Sequence, residues 1–413
     1  MPSPVLLRGL DERTLAVAID PGKVSNRVWI TTGERGLIGE PLTLPTLASG
    51  VAELCRLIAE ADGDGSPAIG IESTGALHHA WAAELERRFP GSLRLFAPSE
   101  TQAARAQLGT RRFKTDDRDC AALVWLLRQG AGRRPDDAAL DALRGAVAHR
   151  RALVLELKPL RQRLHAQLNA LCPGLSAPER HGRKLELHHP SGQAVLACAV
   201  RFAGRPPTRR AFEACWPGRV LRSSVEFWLD RWRALLPPPA DAELRAERLG
   251  RDLERFRRLR LDITACERQV AALLRETRAQ ILTTLPGVAA VRAAAFGVHS
   301  LPVERFASAE RLYSATGLAP AAYESASVRR RTAISRQGLP EHRDALMAIA
   351  WGLSRFSPSF AERQHELRDR GMAPIEARVA LARHACRLCY RLLATQEPFD
   401  ETRYARTRHS RGR

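Results

Sequence analysis

Two short apolar runs, Leu15 to Ile19 and Ala68 to Ile71, each end on an acid, Asp20 and Glu72, and a third acidic stretch, Asp116 to Asp119, opens a segment of helical pattern. Apolar runs of this length bounded by polar residues are the size of buried strands, so both acids stand where a buried strand leaves the core. Carboxylates are costly to desolvate and repel one another. A fold that gathers Asp20, Glu72, Asp116 and Asp119 must therefore supply opposing charge, and divalent metal is a common source. Such a site suits phosphodiester chemistry.

The surrounding pattern predicts an α/β domain over residues 1–135. Leu15 to Ile19, Arg27 to Thr31 and Gly36 to Leu44 read as three consecutive strands, with Thr32-Gly33-Glu34-Arg35 turning the second into the third. Val51 to Ala61 has helical periodicity, Ala68 to Ile71 is a short buried strand, Leu77 to Phe89 a helix and Leu93 to Phe96 a strand. Thr115 to Arg128 reads as a helix with Thr115 as N-cap and acids in its first turn. Three strands followed by alternating helices and strands is the ribonuclease-H-like order.

Residues 136–280 change to long helices. Leu153, Leu157, Leu160, Leu164, Leu168 and Leu171 recur at steps of three and four, a coiled-coil seam that Pro159 should bend. A matching stripe of Leu253, Phe256, Ile263, Val270 and Leu273 predicts an antiparallel partner, with residues of about 175–242, rich in Pro, Arg and Trp, inserted at the tip. No fold follows for the insertion. Residues 281–400 are alanine-rich and helical in pattern, and Leu285 to Ala295 has the outline of a helix-hairpin-helix turn, with Ala289 in place of its second glycine. The basic tail, 401–413, is expected to be disordered.

A length of 413 residues suits more than one domain, and a net charge of +20 with a pI near 10.9 calls for a polyanionic partner, nucleic acid first. Nearly all of that charge is arginine, lysine standing only at 23, 114, 158 and 184. No run of about 18 apolar residues exists to span a membrane, and Met1 to Arg13 lacks the apolar core of a secretory signal. Eight scattered cysteines point to a reduced, cytoplasmic protein. Cys386 and Cys389 fall on the apolar stripe of a helix and read as core rather than as zinc ligands.

Three residues apart, Asp116 and Asp119 share a helical face, while Asp117 turns roughly 100° away from Asp116 and is assigned to solvent. Two magnesium ions about 4 Å apart would fit if Asp20 bridges them and Glu72, Asp116 and Asp119 complete their shells. Lys114 would then contact the scissile phosphate. Arg329, Arg330 and Arg331, with Arg336 and Arg343 nearby, form a candidate phosphate-binding cluster. Arg251, Arg255, Arg257, Arg258 and Arg260 form a second candidate surface, for RNA.

Three N-terminal segments, Ala18-Ile19-Asp20-Pro21-Gly22-Lys23, Ile71-Glu72-Ser73-Thr74-Gly75 and Lys114-Thr115-Asp116-Asp117-Arg118-Asp119, resemble the signatures of the DEDD transposases of bacterial insertion sequences. The C-terminal region is similar to that family's second domain through Leu285-Pro286-Gly287-Val288, Arg305-Phe306, Gly317-Leu318-Ala319-Pro320, Ile334-Ser335-Arg336-Gln337-Gly338 and Pro398-Phe399-Asp400. The resemblance implies a RuvC-like domain, a helical transposase domain and a magnesium-dependent recombinase guided by a structured RNA.

It also implies a serine nucleophile between the Gly-Leu-x-Pro and Ile-Ser-x-x-Gly motifs. In Tyr323-Glu324-Ser325-Ala326-Ser327 the first candidate is Ser325 and the second Ser327, Ala326 replacing the family's usual glycine. Serine and carboxylates from different subunits would then meet in a homodimer or homotetramer acting on donor and target DNA. The alternative from the residues alone is a metal-dependent Holliday-junction resolvase or nuclease that uses water.

Overall fold

The computed structural model describes residues 10–34, 36–61, 66–109, 115–135, 137–176, 184–325 and 328–410, with backbone only for 321–325, 328–333 and 407–410. These residues form two compact units: Met1–Asp141 with Ile281–Val288 and Phe296–Arg413, and Ala142–Gln280 with Ala289–Ala295.

The first unit begins with β1 (Ala16–Asp20), β2 (Ser25–Thr32), β3 (Gly36–Leu37) and β4 (Leu42–Pro45). There follow α1 (Ala48–Glu60), β5 (Ala68–Glu72), α2 (His79–Arg88), β6 (Leu93–Phe96), α3 (Pro98–Gln107) and α4 (Asp116–Arg128). The sheet runs β3-β2-β1-β5-β6, with β4 also on β2. β1 pairs antiparallel with β2 and parallel with β5, and β5 pairs parallel with β6. The single strand expected over 36–44 is two pieces, because Gly39 takes φ +72° and breaks it; both pieces pair with β2.

Alternation along β1 and β5 sorts their side chains to two faces. Val17, Ile19, Ile69 and Ile71 pack with Val51 and Leu54 of α1 and Trp81 and Leu85 of α2. Ala16 and Ala18 face the other way and pack with Cys120, Leu123 and Leu127 of α4. Small residues let α4 approach closely: a Cβ at Gly70 would lie 2.9 Å from both Leu127 Cδ1 and Phe96 Cε2. By the same alternation Asp20 follows Ala18, and Glu72 follows Gly70, onto the face that α4 covers.

The second unit contains α5 (Ala138–Leu171, most of its length), α6 (Pro190–Arg201), α7 (Arg209–Ala214), α8 (Arg222–Arg233) and α9 (Ala242–Arg275). α5 and α9 each span 34 residues, and α5 stays helical through Pro159. Ion pairs Arg150–Glu267 at 2.6 Å and Arg163–Asp252 at 3.3 Å run their numbering in opposite senses, so the two are antiparallel. The insertion without an expected fold supplies α6 to α8, whose Phe212, Trp228 and Trp232 share one core with Leu160, Leu164, Leu168, Leu249, Leu253 and Phe256. Trp232 Nε1 donates to Gly204 O at 2.8 Å, so its polar edge is satisfied inside that core. Leu168→Ala is expected to cost about 3 kcal/mol or more by removing a fully buried side chain. Leu155→Ala, where the side chain is 61% exposed, should cost under ~0.5 kcal/mol. Urea titration of both variants measures the difference.

The C-terminal part opens with a 3-10 helix, Arg278–Thr284, and α10 (Ala290–Ser300). α11 (Ala309–Ala315), β7 (Pro320–Ser325), β8 (Val328–Ile334), α12 (Pro340–Phe356), α13 (Pro358–Asp369), α14 (Pro374–Thr395) and α15 (Glu401–Ser410) complete it. In the Leu285-Pro286-Gly287 turn, Gly287 has φ +74° and its missing Cβ would lie 2.4 Å from Phe356 Cδ2 and 2.9 Å from Gly352 O. Packing against α12 therefore explains that glycine without a phosphate. Cys386 and Cys389 are wholly buried on α14, in keeping with their core reading.

The tail departs from its expected disorder, since residues 401–410 are helical. Glu401 accepts from Ser357 Oγ at 2.7 Å and Ser359 N at 3.0 Å, and Tyr404 stacks on Phe360. These contacts offset the ordering entropy that a charged tail alone would not. Residues 411–413 lie outside the described residues.

His342 is buried in α12, its Nε2 3.0 Å from Ser300 Oγ. Burial first, then the charges of His299 and Arg305, hold its pKa down to about 3. The unfolded chain takes up that proton near pH 6.5, so stability is intact above that pH and is lost as pH falls toward 3. His342→Leu should flatten the decline between pH 6.5 and 4.5 by about 1 kcal/mol per unit, read from urea midpoints across that range.

Candidate active site

Asp20 and Glu72 are the last residues of two adjacent parallel strands, one step beyond the paired Ile19 and Ile71. Both belong to the α4-facing side, and Glu72 is only 7% exposed. Thr74 Oγ1 donates to Glu72 Oε1 at 2.6 Å, and Ser73 Oγ donates to Phe96 O at 2.9 Å, so the Ser-Thr following the acid anchors the strand end and orients the carboxylate.

α4 brings the other two acids. Thr115 caps it, its hydroxyl accepting from Arg118 N at 3.4 Å. The helix start lies at the end of β1, because Cys120 Sγ sits 3.5 Å from Arg27 O, and Arg27 is the cross-strand neighbour of Asp20. Cys120's thiol pKa is pushed up by burial first and then by the charge of Asp20. Asp119 is 2% exposed, its Oδ1 2.9 Å from Arg105 Nε of α3, whereas Asp116 is exposed.

Asp117 is half-exposed, as its offset leads one to expect, but it also has partners. Its oxygens accept from Arg27 Nε at 2.6 Å, Arg27 Nη2 at 3.1 Å and Trp29 Nε1 at 3.0 Å. The hydrogen bond from Arg27 is the main reason its pKa is lowered. The 100° offset from Asp116 turns Asp117 toward β2, which the spacing by itself could not show.

As donors, four carboxylates match a hard divalent cation. As placed, they do not close round one: among the described residues no three His, Cys, Asp or Glu are arranged to hold a metal ion. Asp119 has its charge already met by Arg105. Lys114 and Ser327 lie outside the described residues.

Ser325 ends β7 opposite Val328, at the turn of the β7–β8 hairpin, and Arg329, Arg330 and Arg331 follow on β8 opposite Glu324, Tyr323 and Ala322. The base of this hairpin is clamped by the two motifs that flank it. Ser335 N donates to Ala319 O at 2.8 Å, and Arg336 N donates to Gly317 O at 3.0 Å, Arg336 itself being exposed with φ 56°. A Cβ at Gly338 would lie 2.3 Å from Ala315 O, so Gly-Leu-Ala-Pro and Ile-Ser-Arg-Gln-Gly carry glycines where one backbone crosses the other. On α9 the arginines considered for RNA all have partners within their unit. Arg251 pairs with Glu247, Arg255 with Glu156, Arg257 with Gln193, Arg258 with Asp262, and Arg260 donates to His188 O.

A transposase model that carries the DEDD designation matches residues 17–173, the stretch that contains all four acids. A second, described as the transposase IS116/IS110/IS902 family, matches residues 279–365, the stretch that contains the hairpin. The chain belongs to the DEDD transposase family of insertion sequences. No curated protein matches it. Membership makes this transposase a DNA-cleaving enzyme with DNA as its substrate, from a family that typically uses divalent metal ions. Among the described residues no helix is long and apolar enough to cross a membrane.

Neither Arg105 nor the Arg27–Trp29 pair is signalled by the sequence. Arg105 belongs to α3, a helix that no apolar period marks, and nothing in its spacing makes an arginine the partner of a residue 14 positions on.

Proposed function

We propose that this transposase cuts and rejoins DNA with Asp20, Glu72, Asp116 and Asp119 on one side of the reaction and Ser325 on the other, at sequences chosen by a structured guide RNA. The observation that carries the reading is the juxtaposition of Asp20 and Glu72 on neighbouring strand ends, beneath the helix that brings Asp116 and the buried Asp119. Magnesium ions, two in number, held by these four carboxylates would supply activation of the attacking oxygen and stabilisation of the leaving one.

Ser325 Oγ forms a bond to phosphorus, the bond from phosphorus to one strand's oxygen breaks, and the serine proton ends on that departing oxygen. The phosphoserine link keeps the energy of the phosphodiester, so rejoining needs no external source. Lys114, Arg329, Arg330, Arg331 and Arg336 would hold phosphates of DNA or RNA beside the serine. Carboxylates and serine from different copies, in a dimer or tetramer, would complete each site. Eight unpaired cysteines support work in the reducing cytoplasm.

Incubation with supercoiled donor and target DNA, stopped with denaturant, tests the reading. A protein–DNA adduct that survives denaturation is expected, and cleavage without any adduct would instead mean a nuclease or junction resolvase using water. Sequencing the RNA that copurifies should give one structured species, and recombination that persists after its digestion would remove the guide from the proposal.

A further inference from the structure

Asp119 is the most deeply buried of the four acids, and a guanidinium lies beside it. Arg105 Nε lies 2.9 Å from Asp119 Oδ1, the arginine side chain 14% exposed and the aspartate 2%. α3 and α4 pack together, so the pair joins the two helices on either side of residues 108–115. The neighbouring acids have other partners: Glu72 accepts from the neutral hydroxyl of Thr74, and Asp117 is balanced by Arg27 on β2.

We infer that Arg105 is the resident counter-ion of the carboxylate site, a positioning residue that neutralises Asp119 when no metal is bound and competes with divalent metal for the same oxygens. A buried carboxylate that stays ionised needs a compensating charge. One positive charge 2.9 Å away supplies it, and a divalent ion arriving at those oxygens meets a like charge. Loading Asp119 with metal then requires Arg105 to withdraw. The inference rests on the reading of Asp119 as a metal ligand.

Manganese serves as the probe, its binding to the full-length protein followed by electron paramagnetic resonance without DNA, so that no activity is needed. Arg105→Gln should bind Mn2+ at least about tenfold tighter than wild type, since the competitor is gone. Arg105→Lys keeps the charge and should bring the affinity back toward the wild-type value. Adding Asp119→Asn to Arg105→Gln should remove the gain. Arg105→Met, which retains an aliphatic stem between α3 and α4, repeats the measurement should the glutamine variant not fold. Equal or weaker binding by the charge-removed variants would overturn the inference and leave Arg105 as a tie between two helices. If no form binds Mn2+, the metal-ligand reading of the carboxylates fails and this inference falls with it.

Discussion

Ser325→Ala is expected to eliminate the covalent protein–DNA adduct and to lower strand exchange on the order of 10⁴-fold or more, the scale seen when a covalent nucleophile is removed. Alanine cannot form the bond to phosphorus, and water offers no bond to conserve, so rejoining is lost together with cutting. Because Ser325 is the last residue of β7, paired with Val328, the substitution leaves the ladder bonds of β7 and β8 in place. Thermal unfolding should therefore match wild type. Denaturing gels of trapped reactions check the result and separate the two serines. An adduct retained by Ser325→Ala and lost by Ser327→Ala would move the nucleophile to Ser327. Cleavage at the wild-type rate in both variants would reject a serine nucleophile.

Asp20→Asn should reduce DNA cleavage by about 1,000-fold, the equivalent of several kcal/mol of lost metal stabilisation at roughly 1.4 kcal/mol per tenfold. Asparagine keeps the size of the side chain at the end of β1, removes its charge and turns one acceptor oxygen into an NH2 donor. That charge lies near the buried Cys120 thiol, which it helps to push up. Relief of repulsion among gathered carboxylates should leave the unfolding temperature unchanged or higher. Activity falling while stability holds is the mark of a residue kept for function at some cost to folding. Single-turnover cleavage rates with calorimetry test both halves, and wild-type cleavage by Asp20→Asn would dismiss the carboxylate site.

Much of the N-terminal domain is legible in the amino-acid sequence. Apolar runs of the right length mark β1, β5 and β6, and the alternation that sends Ala18 and Gly70 to one face also sends Asp20 and Glu72 there. Thr115 announces the start of α4 because its capping bond reaches only three residues. The leucine seam announces α5 and its partner α9 for the same local reason, a period matching the helix. The Trp-rich insertion is not legible, since its helices are short and find their core only against those two long ones. The charged tail has the composition of a disordered segment, and its helix depends on the partners that Glu401 and Tyr404 find at the start of α13.

What the sequence determined by itself is whatever repeats within a few residues: strand and helix periods, caps, turn glycines, and the order of motifs that identifies a DEDD transposase. The tertiary structure alone decided which charge meets which. Asp117 accepts hydrogen bonds from Arg27, 90 positions earlier, and Asp119 is ion-paired with Arg105, 14 positions earlier. Ionic partners are selected by proximity in space, and the pairing energy depends on burial that no local pattern encodes. Four acids can thus be named from the chain, while the guanidinium that stands among them becomes visible only once α3 has packed against α4.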